Sequence, residues 1–84
     1  MNRKFKLIER FKRIPSDFTY CELKVLLEHL GYKQIKLGKT SGSRRRFIHV
    51  SYPMIILHKP HPNDLLKRYQ LRQIKQMFIR EGML

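Results

Sequence analysis

The segment Gly38-Lys39-Thr40-Ser41-Gly42-Ser43-Arg44-Arg45-Arg46-Phe47 holds the residues best suited to chemistry. Its small residues let a backbone approach a ligand closely, and three successive arginines offer planar, permanently charged forks that match phosphate oxygens. Metal-independent RNA cleavage uses the ribose 2′-OH against the adjacent phosphorus. It needs a base for the 2′ proton, an acid for the leaving 5′ oxygen, and cations on the developing phosphorane charge. Arginine suits the third role and, because it keeps its proton, is a poor base. Side chains alternate along a strand, so Arg44 and Arg46 should share one face and Arg45 the other. The same run also reads as a solvated edge strand that blocks edge-to-edge pairing.

The base or acid is sought among the histidines, whose ordinary pKa lies near working pH. His29 falls in a leucine-rich helix next to the packing face, where it reads as partly buried or solvated, and His49 lies inside a strand, where it reads as structural. His58 and His61 bracket Lys59-Pro60 on a loop, a better position for function. His61 is the candidate carried forward, with a turn-stabilising role as its alternative. The carboxylates are spread over helices and caps, and no pair stands near the arginine strand at metal-binding spacing. Neither a metal nor a cofactor is predicted.

The overall charge supports a phosphate-bearing ligand. The chain has 19 Lys+Arg against 6 Asp+Glu, a net +13 on 84 residues. Such a surplus points first to nucleic acid. The predicted RNA contacts are Lys36, Lys39, Ser43, Arg45, Arg46, Lys59 and the helical stripe Arg68, Arg72 and Lys75. With 42% hydrophobic residues the chain can build a core, unlike a disordered basic tail. The single cysteine, Cys21, excludes an internal disulfide and is expected to be buried or half-buried. No apolar run reaches membrane-span length, and the basic start lacks the apolar core of a signal peptide, so a cytoplasmic protein without membrane contact is expected.

The elements that must position these residues follow from periodicity. Leu7, Phe11 and Ile14 recur at helical spacing before Pro15, predicting an amphipathic helix within residues 1–14. Thr19-Tyr20-Cys21-Glu22 is a capping box, Leu23, Leu26, Leu27 and Leu30 form one face, and Gly31 is the stop. Tyr32 to Leu37 alternates as a strand, with Ile35 and Leu37 on one side. Arg45 to Val50 and Met54 to His58 follow as two more strands, giving an antiparallel meander. After His58-Lys59-Pro60-His61-Pro62, Asn63 or Asp64 is expected to cap a last helix reaching about Glu81, before Gly82. The fold class is α+β: helix, strand, strand, strand, helix behind an extra N-terminal helix, with one sheet face covered and one free. Residues 1–18 read as a basic extension on a 19–84 domain.

Several of these features together resemble the HicA family of bacterial toxins. They are Leu30-Gly31-Tyr32, Gly42-Ser43 before a strand ending in Phe47, His61-Pro62, Leu71-Arg72-x-Ile74 and Gly82-Met83-Leu84. The resemblance covers about residues 19–84. It implies a double-stranded-RNA-binding-domain-like fold, an mRNA-cleaving toxin of a type II toxin–antitoxin system, and a HicB-type antitoxin as partner. It also implies a catalytic histidine directly after Gly-Ser, where this chain has Arg44. By that position Arg44 is expected, with His61, to support catalysis. A non-cleaving RNA-binding module of the same fold is the runner-up, and a basic structural or adaptor protein the third reading.

Overall fold

The computed structural model describes residues 3–35, 42 and 44–84. Helix α1 spans Arg3–Lys12 and α2 Tyr20–His29; strands β1 (Lys33–Ile35), β2 (Arg44–Ile48) and β3 (Ile55–His58) follow, then α3 (Arg68–Arg80). The sheet has the order β1-β2-β3, antiparallel throughout. This is the expected α+β arrangement, with the extra helix in front.

The α2 capping box forms as its sequence predicts. The Glu22 amide donates to Thr19 Oγ1 at 3.0 Å, and the Thr19 amide donates to Glu22 Oε1 at 3.0 Å. The second Glu22 oxygen accepts from Arg10 at 2.7 Å, and Arg10 also reaches Asp17 Oδ1 at 2.8 Å and lies over the Phe18 ring. One α1 side chain thereby fastens that helix to the start of α2. The last helix ends as expected: Gly82 has φ +76°, and the Met83 amide donates to Phe78 O at 2.8 Å.

Its beginning differs from expectation. Helix α3 starts at Arg68, and neither Asn63 nor Asp64 caps it. The Asp64 carboxylate instead accepts from the Cys21 amide in the first turn of α2. Segments 18–20 and 64–66 pair like short strands, with the Tyr20 amide on Asp64 O at 2.8 Å and the Leu66 amide on Phe18 O at 2.9 Å. That pairing delays helix entry, because residues 64–66 spend their backbone groups on another segment. At the N-cap of α3 the Lys67 amide donates to Gln70 Oε1 at 3.0 Å. A lysine ammonium has no acceptor, so the reciprocal bond of a capping box is absent there.

One core unites these elements. Phe11, Phe18, Leu23, Leu26, Leu27, Phe47, Leu71 and Phe78 are essentially inaccessible, and Ile55 and Leu57 join them from β3. Phe11 meets Phe18 edge-to-face and Phe78 at a tilt, with ring centroids at 5.8 and 5.7 Å, so the N-terminal helix shares the interior of the rest. The register pairs Gln34 with Phe47 and Ile35 with Arg46. Gln34 therefore lies on the inner face and Ile35 on the outer one; Leu37, expected on the same side as Ile35, lies outside the described residues. A three-residue strand is too short for its apolar pattern to fix the register, which β2 sets instead. Cys21 is exposed, contrary to expectation, because the first turn of α2 borders solvent beside α1. No helix among the described residues is long and apolar enough to cross a membrane.

Candidate nucleic-acid interface

The arginine run alternates as strand geometry requires. Phe47 points into the core, so Arg45 shares the inner face, while Arg44 and Arg46 lie outside, opposite His58 and Ile56. Arg45 is the second residue of β2, paired with Leu57 of β3 at the end of the sheet where β2 begins. There Arg45 meets the loop after β3, and a pocket of about 280 Å³ is lined by Gly42, Arg45, Lys59, Pro60 and His61.

Each cation is held by its surroundings. Arg45 Nη1 donates to Gly42 O at 2.9 Å and Arg44 O at 3.1 Å, which orients the guanidinium and leaves it further N–H donors. Lys59 Nζ stands 5.4 Å from the centre of the Tyr20 ring, an attraction between ammonium and π face. The loop itself is fixed by the pairing of 18–20 with 64–66, by the Leu65 amide on Asn63 Oδ1 at 3.1 Å, and by Gln70 Nε2 on His58 O at 3.3 Å. Its His61–Pro62 bond is cis. A second pocket of about 320 Å³ lies against the same loop, sharing Lys59, Pro60 and His61 and adding Leu65, Lys67 and Tyr69. No carboxylate lines either pocket among the described residues.

Tyr20 lies beneath this end of the sheet. Its hydroxyl is buried with no hydrogen-bond partner among the described residues. Burial raises its pKa above the usual phenol value; the nearby Arg45 charge pulls the other way. Gln34 and Arg45 are close enough to act on the phenol, but neither reaches it with good hydrogen-bond geometry.

The structure thus brings together Arg45, Lys59 and His61 and keeps Arg44 apart from them. Arg46 is half-buried on the outer face, with its Nε enclosed and unpartnered among the described residues. The α3 stripe is divided. Arg68 Nε donates to Ile14 O at 2.9 Å, just past α1, and Lys75 Nζ to Lys12 O at 2.6 Å, at its last residue. Arg72 is exposed. Lys36, Lys39 and Ser43 fall outside the described residues. Among the described residues no three His, Cys, Asp or Glu side chains cluster as a metal site would require.

Sequence reasoning missed Tyr20 and Tyr69. Tyr20 gave no signal, because its place under Lys59 depends on a contact across the fold. Tyr69 had one: it lies on α3 far around the helix from Leu71, Ile74 and Phe78, where an aromatic ring has no core to fill.

A family model described as HicA toxin of bacterial toxin-antitoxin matches residues 20–81. No curated protein and no solved structure matches the chain.

Proposed function

Because this chain belongs to the HicA toxin family, whose members are generally ribonucleases, we propose that it cleaves mRNA in the pocket formed by Arg45, Lys59 and His61. The observation behind this reading is the convergence of those three side chains on one pocket with no carboxylate on its lining among the described residues.

In this reading the scissile phosphate sits against Arg45 and Lys59, whose charges stabilise the phosphorane as the 2′-oxygen bonds to phosphorus. The bond from phosphorus to the 5′-oxygen then breaks, leaving a 2′,3′-cyclic phosphate and a 5′-hydroxyl. His61 exchanges a proton with one of these two oxygens, and water serves the other. Arg44, at the position where the family resemblance expects histidine, makes an outer-face contact together with Arg46. Arg72 and the segment containing Lys36, Lys39 and Ser43 extend the backbone contacts. Residues 1–18 add a helix to the 19–84 body. A HicB-type antitoxin neutralises the toxin in the cytoplasm by presenting acidic groups to this surface, since masking a +13 protein calls for opposite charge.

One observation favours a variant that binds without cleaving: His61 is the only side chain lining the pocket, among the described residues, suited to proton exchange near neutral pH. Incubation of the full chain with a long mRNA and EDTA separates the two. Cleavage predicts fragments ending in cyclic phosphate, reduced about 100-fold or more in Arg45→Ala and abolished in His61→Ala, with Arg44→Ala far less affected. Occupancy alone predicts no fragments but a salt-sensitive complex. In either case Lys59→Ala should lower the slope of log affinity against log salt by about 0.7. Equal losses in Arg44→Ala and Arg45→Ala would overturn the assignment of the pocket.

A further inference from the structure

We infer that Tyr69 is a stacking platform for an unpaired nucleobase, so that the RNA bound here is single-stranded where it crosses the loop at residues 59–61. This inference rests on the phosphate reading of the neighbouring pocket and adds a base-binding subsite to it.

Tyr69 lies in the first turn of α3 and is 53% exposed. A lone exposed tyrosine would need no explanation. This one lines a groove whose other walls include His61, Lys59 and Lys67, with apolar Leu65, itself 43% exposed, beside them. A face of aromatic and apolar groups bordered only by cations and polar side chains suits a flat ring attached to a phosphate. Proteins that bind single strands combine these two elements.

The two pockets share Lys59, Pro60 and His61. A strand passing over that loop therefore meets Arg45 with a phosphate on one side and Tyr69 with a base on the other. Lys59 leans over Tyr20, towards the phosphate side, leaving the Tyr69 side for the base. Gln70 ties α3 to the loop through His58 O, so platform and phosphate site keep their spacing. A fully paired helix would hold its bases inside the stack, where Tyr69 has no ring face to meet.

The test uses the full chain and a set of single-stranded oligoribonucleotides, 2′-O-methylated to prevent cleavage and carrying 2-aminopurine at successive positions. The same strands annealed to their complements give the duplex arm. Expected is tighter binding of the single strand, with 2-aminopurine quenching at one position. Tyr69→Ala should weaken single-strand binding by about 5- to 150-fold, remove the quenching and leave duplex binding unchanged. Tyr69→Phe, which keeps the ring, should retain both signals. If Arg45→Ala weakens binding but Tyr69→Ala does not, the platform is wrong and the phosphate site stands. If Arg45→Ala also leaves binding unchanged, or no strand binds, the pocket reading fails and this inference with it.

Discussion

The two ends of the three-stranded sheet are built from the same residue types and differ in how fully those residues are satisfied. At the β2–β3 turn, His49 Nδ1 accepts from the Ser51 amide at 2.9 Å, so the proton rests on Nε2, which lies 3.1 Å from Leu30 O. Tyr32 donates its hydroxyl to Pro53 O at 2.9 Å, and the His49 ring sits edge-on between Tyr32 and Tyr52. Gly31, with φ +97°, lets His49 approach so closely that an added Cβ would lie 2.7 Å from Nε2. At the opposite end, Tyr20 has a buried hydroxyl without a partner among the described residues, His61 is exposed, and nothing described lies within 4 Å of a Cβ added to Gly42. At the first end these polar groups are paired within the fold. The other keeps donors and space for something outside the chain.

Substitutions at matched positions test that contrast. Gly31→Ala should lower stability by about 2 kcal/mol or more, from backbone strain plus the clash with His49. For a domain of this size that is a fall in Tm of roughly 8–16 °C. Gly42→Ala, at φ +61° and with no described atom within 4 Å of the added Cβ, should cost the backbone penalty of about 1 kcal/mol. Similar Tm losses in thermal unfolding of the two variants would break the comparison.

The tyrosine pair gives a smaller effect. Tyr32→Phe removes a made hydrogen bond and should cost about 0.5–1.5 kcal/mol, whereas Tyr20→Phe deletes an unpartnered hydroxyl and should be neutral or slightly stabilising. Denaturant unfolding of both variants measures the difference, and a loss in Tyr20→Phe as large as in Tyr32→Phe would show that its hydroxyl is satisfied.

The smallest effect is one the two ends share. Burial raises the pKa of both Tyr20 and Tyr32, so the unfolded chain ionises first as pH rises. Their contribution is complete below pH about 10 and is lost as pH climbs through the higher folded values. Thermal unfolding between pH 9 and 11 should therefore show a decline that is flatter in the Tyr20→Phe, Tyr32→Phe double variant.

Much of the fold was legible in local pattern. The capping box at Thr19 and Glu22, the leucine face of α2, the glycine stop at Gly82 and the alternation of Arg44, Arg45 and Arg46 each depend on residues a few positions apart. So does the surplus of cations, which any compact form of this chain must carry on its surface. What local pattern did not contain was the use of each cation. Arg68 and Lys75 looked equivalent to Arg72 on one stripe, yet the first two hold the carbonyls of Ile14, just past α1, and Lys12, its last residue, from 54 and 63 residues away. Asp64 looked like a cap for the helix that follows it and instead serves α2, 43 residues back. The sequence by itself determined the elements, their order and the sign of the surface, because these follow from backbone preference and the periodicity of burial. Only the tertiary structure decided that Arg45 rather than Arg44 meets Lys59 and His61. That choice depends on which sheet face the helices cover, and no stretch of neighbouring residues encodes it.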